Sequence, residues 1–148
     1  MIRITKEFKF EMAHALHGYD GLCKNIHGHS YKLWVTIRGR VLNQEAHKKD
    51  GMVMDFDVLK SFVKPTIIDK YDHSLVLNAN SPHAEIDFSA FEKVFFLPYQ
   101  PTSENLVLDF ALQIKTKLPQ GIELYKLVLS ETATSFAEWH SEDQQSRL

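Results

Sequence analysis

The chain has 148 residues, 44 % of them hydrophobic and 24 % charged, with a formal net charge of −2; a single domain over 1–148, with one sizeable core, is expected. The near-neutral charge argues against nucleic acid or an acidic membrane surface as partner, and one cysteine excludes an internal disulfide. The opening "MIRITKEFKF" is unlike a signal peptide and no apolar run approaches the roughly 18 residues of a membrane span, so a cytoplasmic location is expected.

Residues 2–14 alternate, with Ile2, Ile4, Phe8, Phe10 and Met12 on one face and Arg3, Thr5, Glu7, Lys9 and Glu11 on the other. That is the pattern of a half-buried strand. Continued past Met12, its apolar phase lands on His14. After a glycine-bearing loop, a second strand is expected from about His27 to Val41, with Tyr31, Leu33, Val35 and Ile37 in phase. Carried backwards, that phase reaches His29 and His27. "NQEAHKKDG" reads as a polar turn. Asp55 suits the cap of a helix with the stripe Phe56, Leu59, Phe62, Val63 and Ile67, which Pro65 should kink or divide. Residues 72–101 mix loop signals with the apolar patch "FSAFEKVFFLPY" and carry no firm assignment. Thr102 or Ser103 caps a second helix, striped by Leu106, Phe110, Ile114 and Leu118 and ended by "PQG". Segments 122–131 and 132–140 read as two more strands. The order ββααββ is an α+β pattern and predicts a four-stranded antiparallel sheet with both helices on one face.

Positions i and i+2 of a strand share a face about 7 Å apart, so His27 and His29 can converge on one ion. His14 joins them if the first two strands pair. Three imidazoles with no fourth protein ligand leave a coordination position open, as in catalytic zinc sites. Each histidine alone reads equally well as a satisfied core residue. His17, His47, His83 and His140 have no such phase and read as surface or loop residues.

Cys23 lies in a loop beside Lys24, four residues before His27; positive surroundings favour its thiolate as base or nucleophile. The alternative is a small core side chain. Asp72 and His73 follow the first helix, where a carboxylate can orient an imidazole and raise its basicity; a capping role is the other reading. Glu131 shares a phase with Tyr125, Leu127 and Leu129, and a carboxylate on an apolar face needs a partner. A planar ligand with two adjacent N–H donors, such as a pterin or guanine edge, would meet it with two parallel bonds. "PTSEN", 101–105, offers hydroxyls and backbone N–H groups at a helix start, or simply caps it.

"FKFEMAHAL", "CKNIHGHSYKLWVTIRG", "GMVMDFDVLK", "YDHSLVLN", "PTSENL" and "ETATSFAEW" stand in one order along the chain. Together they resemble the 6-pyruvoyl-tetrahydropterin synthase / 6-carboxytetrahydropterin synthase family over nearly its whole length. The resemblance implies zinc as cofactor on His14, His27 and His29, and Cys23, Asp72 and His73 as catalytic residues. It implies Glu131 as the pterin anchor, with Thr102, Ser103 and Glu104 also at the substrate. It also implies the tunnelling fold, assembled into a homohexamer (a dimer of trimers) with active sites between subunits, so that Cys23 and His73 come from different chains.

Two branches compete within the family. The carboxy branch, of the 7-deazaguanine (queuosine) pathway, has its cysteine four residues before the first His of His-Gly-His, as here; pyruvoyl synthases usually have two more residues between. The resemblance therefore implies conversion of 7,8-dihydroneopterin triphosphate to 6-carboxy-5,6,7,8-tetrahydropterin, acetaldehyde and triphosphate. The alternatives are a pyruvoyl synthase and a non-catalytic zinc- or pterin-binding homologue. No nicotinamide or flavin is expected. Lys24, Lys32 and Arg38 are candidates for the triphosphate. The stretch from His73 to Thr102 looks longer than in compact bacterial members.

Overall fold

A computed structural model describes residues 1–144. Its centre is the long hairpin of β1 (Ile2–His14) and β2 (His27–Gly39), paired antiparallel in continuous register from Ile2 opposite Gly39 to His14 opposite His27. The period-2 pattern sets this register, because a slip by one residue would turn Phe8, Phe10 and Met12 into solvent. β2 ends two residues earlier than the pattern suggests.

Among the described residues the sheet has six strands and is mixed, which corrects the expected four-stranded antiparallel one; its order is β4-β3-β1-β2-β5-β6. β3 (Ser74–Asn78) runs parallel to the end of β1, and β4 (Val94–Leu97) parallel to β3. These two strands occupy the segment that carried no assignment. They are short, and their partners are distant in sequence, so neither alternation nor a hairpin turn announces them. β5 (Ile122–Ser130) and β6 (Phe136–His140) continue the sheet antiparallel on the other side. The fourth expected strand thus starts later than residue 132, because 131–135 form the connecting turn, with the Glu131 and Thr132 N–H groups both donating to the Ser135 carbonyl.

Tyr125 leaves its expected phase. The β2–β5 register shifts between Thr36 and Ile37, so that Leu124 and Leu127 both point inward. The extra residue of this bulge, Tyr125, turns to the opposite face, where the Arg3 and Arg38 guanidinium groups lie over its ring.

The helices cover one face. α1 (Phe56–Val63) starts at Asp55, whose carboxylate accepts the Asp57 N–H. It runs through a π-helical turn (Lys64–Ile68) into α2 (Asp69–Tyr71). Pro65 sits where the α ladder gives way: it has no N–H to donate, and the Asp69 N–H reaches back to the Lys64 carbonyl. Leu59, Val63, Ile67 and Tyr71 are fully buried along the rod, whereas Phe56, expected in the stripe, is exposed. α3 (Ser103–Lys115) is capped by Thr102, whose hydroxyl accepts the Asn105 N–H. Its Phe110 packs edge-on to Phe10 and against Tyr71, tying both helices to β1. None of these helices is long and apolar enough to cross a membrane.

Candidate metal centre and active site

The inward phases of β1 and β2 end on three histidines. His14 stands opposite His27, and Met12 opposite His29, so the rings meet at one end of the hairpin. Ring centroids lie 4.6 Å (His14–His27), 4.9 Å (His27–His29) and 5.2 Å (His14–His29) apart. Glu131 arrives from the end of β5 on the same face. The donor atoms of His14, His27, His29 and Glu131 lie within 4.8 Å of one another, a group that can hold a metal ion.

The hydrogen bonds behind the rings decide what the ring nitrogens offer. His14 Nδ1 lies 2.7 Å from the Pro101 carbonyl, and His27 Nδ1 lies 2.7 Å from the Asn25 carbonyl. A carbonyl only accepts, so each Nδ1 carries a proton, and the neutral form of either ring presents its lone pair at Nε2. Those two Nε2 atoms are 3.0 Å apart. Two lone pairs at that distance repel unless a proton or a cation lies between them. Burial holds the pKa of His14 below its usual value, against the opposing pull of the Pro101 carbonyl and Glu131; burial also lowers that of His29. Neutral imidazoles are the form that binds metal. His29 Nε2 is buried and makes no hydrogen bond among the described residues, although Glu131 Oε1 is 2.9 Å away. Three ring nitrogens and a carboxylate oxygen this close together fit a dication such as zinc.

Glu131 is held on its other side. Its Oε2 accepts a short hydrogen bond from the Ser103 hydroxyl in the first turn of α3. Ser103, Glu104 and Glu131 line a small cavity of about 110 Å³ with Ser135, Phe136 and Ala137. Of the "PTSEN" positions, Thr102 is engaged as the cap, while Ser103 and Glu104 face the cavity. Tyr31, two residues after His29, is buried, and its hydroxyl has no partner among the described residues; burial first, and Glu131 second, push its pKa up.

Asp72 and His73 form a separate dyad. Asp72 Oδ1 accepts the Glu11 N–H at 2.8 Å, and its Oδ2 is 3.0 Å from His73 Nδ1. The backbone bond from Glu11 and the contacts with His73 and Lys93 hold the Asp72 carboxyl below its usual pKa. His73 adopts φ 60°, which lets two consecutive side chains touch. Lys93 clamps this turn, donating to the carbonyls of Asp69 and Asp72 at the helix end. The His73 side chain is 77 % exposed and lines an open groove of about 740 Å³ with Glu11, Ser30, Phe88, Phe91 and Lys93. The groove also reaches Met12 and His29, but Glu11 and Ser30 alternate with the inward histidine phases, so the dyad's side chains lie on the sheet face opposite the histidine rings.

Cys23 sits half-buried in a 3₁₀ turn (Leu22–Lys24), tied to the end of β1 by the bond from the Leu16 N–H to its carbonyl. Neither Cys23 nor His73 belongs to the donor cluster. Lys32 is exposed on the face opposite the histidines. Arg38 is nine residues along β2 from His29, about 30 Å from its own chain's cluster, and pairs with Glu123 and Glu142. His17 and His47 are exposed, and His140 pairs with Glu138. The backbone carbonyls of Pro101 and Asn25 went unread in the sequence, because nothing in a side-chain pattern marks them.

The model of the family described as 6-pyruvoyl tetrahydropterin synthase matches residues 3–142. The chain belongs to this family. A relative from Haemophilus influenzae, named 6-carboxy-5,6,7,8-tetrahydropterin synthase, is 36 % identical over 143 residues, covering 94 % of this chain and 99 % of the relative. One of the same name from Rickettsia bellii is 30 % identical, covering 93 % and 99 %. The structure of the Caenorhabditis elegans 6-pyruvoyl tetrahydropterin synthase superposes with a TM-score of 0.67 at 25 % identity, covering 95 % of each chain. The Haemophilus alignment leaves no room for a long insertion, so against that family member the 74–101 segment is no addition.

Proposed function

We propose that this chain is a zinc-dependent 6-carboxytetrahydropterin synthase, acting on 7,8-dihydroneopterin triphosphate in 7-deazaguanine (queuosine) biosynthesis. The observation that carries the reading is the compact donor cluster of His14, His27, His29 and Glu131 in a member of this family. The name borne by its curated relatives and the four-residue step from Cys23 to His27 both favour the carboxy over the pyruvoyl branch.

Bound on the three histidines, zinc supplies a Lewis acid that lowers the cost of charge on the substrate's side-chain oxygens. Glu131 accepts the two N–H donors of the pterin's 2-amino/N3 edge, beside Thr102, Ser103 and Glu104. Cys23, as thiolate, removes a side-chain proton. His73 returns or relays one through Nε2, since Asp72 engages its Nδ1. The substrate's last two side-chain carbons leave as acetaldehyde and its triphosphate leaves as such, while the new carboxyl takes its second oxygen from water. Because the dyad's side chains lie on the opposite sheet face from its own chain's histidine rings, it serves the site of a neighbouring subunit, in a homohexamer with sites between chains. The whole of 1–148 then acts as one cytoplasmic domain.

The test is to incubate zinc-loaded protein with 7,8-dihydroneopterin triphosphate and identify the products by mass spectrometry. Carboxytetrahydropterin with acetaldehyde is expected. Pyruvoyl-tetrahydropterin without acetaldehyde moves the chain to the other branch, and no turnover despite bound zinc leaves a binding protein.

A further inference from the structure

Glu131 is placed for two tasks that exclude each other in time. One oxygen, Oε1, turns to the histidines, 2.9 Å from His29 Nε2 and 4.0 Å from His14 Nε2. Around a tetrahedral zinc with bonds of about 2.0–2.2 Å, donor atoms sit about 3.3–3.5 Å apart; these distances, with the 3.0 Å between the two Nε2 atoms, bracket that spacing. Oε1 and His29 Nε2 are close but make no hydrogen bond, as expected of two donors to a common ion.

We propose that Glu131 is an exchangeable fourth ligand: Oε1 closes the metal site in the substrate-free protein, and the pterin edge draws the carboxylate off, opening the position to the substrate's oxygens. This rests on the metal-and-pterin reading above. The backbone need not move, since the Glu131 N–H is anchored on the Ser135 carbonyl. The Ser103 hydroxyl on Oε2 is the pivot, buried at the start of α3. The consequence is order: a metal closed by four protein donors holds no activated water until the pterin arrives.

Linkage supplies a test that does not depend on turnover. If ligation and pterin capture compete for one carboxylate, zinc and pterin oppose each other's binding by the same factor. Unsubstituted pterin, which has no side chain to meet the metal, is titrated calorimetrically into metal-free and zinc-loaded protein. The metal-free form is expected to bind it about 5–150-fold more tightly. Zinc affinity, measured by chelator competition, is expected to fall at least about tenfold in Glu131→Ala, and in Glu131→Gln should the smaller side chain disturb folding. Equal pterin affinity in both forms, or unchanged zinc affinity in both variants, overturns the exchange while leaving the metal site standing. Failure of the wild type to bind zinc, or of either form to bind pterin, removes the parent reading and this one with it.

Discussion

His14 and His27 face each other across the last pair of the β1–β2 ladder with their Nε2 atoms 3.0 Å apart. Both rings donate their Nδ1–H to a backbone carbonyl, His14 to Pro101 and His27 to Asn25, so in the neutral rings two Nε2 lone pairs meet and only a cation or an added proton relieves the pair. His27→Ala is therefore expected to purify without stoichiometric zinc, whereas His47→Ala, an exposed loop histidine, keeps it. Metal analysis of the two variants, with circular dichroism to confirm folding, checks this. Stoichiometric zinc in His27→Ala would remove that residue from the ligand set.

The histidine cluster was legible because strands repeat every two residues. The phase of Phe8, Phe10 and Met12 leads to His14, that of Tyr31 and Leu33 leads to His29 and His27, and pairing brings both to one spot. The same arithmetic failed at Tyr125, since one bulged residue inverts the phase and no side chain announces it. β3 and β4 were hidden for another reason. A strand of four or five residues is too short to display a period, and its parallel partner lies far off in sequence. What sets the tautomers was beyond reach altogether, being the direction of two backbone carbonyls. The fourth donor was half legible: Glu131 stood out as a carboxylate on an apolar face, but its approach to the histidines follows from β5 pairing with β2.

The Asp72–His73 dyad stands apart from the donor cluster, so the two can be separated by mutation. His73→Ala is expected to retain zinc while losing about 10²–10⁴-fold in turnover of dihydroneopterin triphosphate, the usual weight of general acid–base catalysis. Cys23→Ala should do the same. Loss of zinc along with turnover in either variant would mean a structural role near the metal instead.

Acid should expose the support that Asp72 gives. The Glu11 N–H, and then His73 and Lys93, hold its folded pKa below the unfolded value of 3.8. A depressed carboxyl pKa adds stability that is complete above the unfolded pKa and is lost as pH falls through the folded one, since the unfolded chain binds the proton first. Wild-type stability is expected to decline below pH 3.8 more steeply than that of Asp72→Asn, with metal absent from both. Urea midpoints along a pH series measure it, and parallel curves would contradict it.

The φ of 60° at His73 makes a further prediction about stability. An L-residue in the left-handed region bears a steric cost of about 1–2 kcal/mol that glycine escapes, and glycine gives back about 0.5–1 kcal/mol through its freer unfolded chain. His73→Gly and His73→Ala lose the same imidazole and the same contact with Asp72, so only the backbone terms differ between them. The glycine variant is expected to be the more stable by roughly 0.5–1 kcal/mol, read as a higher urea midpoint at unchanged slope, while both lose turnover alike. An alanine variant equal to or more stable than the glycine variant would mean that the turn relaxes out of the left-handed region once the ring is gone. In that case the Asp72 contact and the Lys93 clamp, rather than the chain's local preference, hold His73 in its conformation.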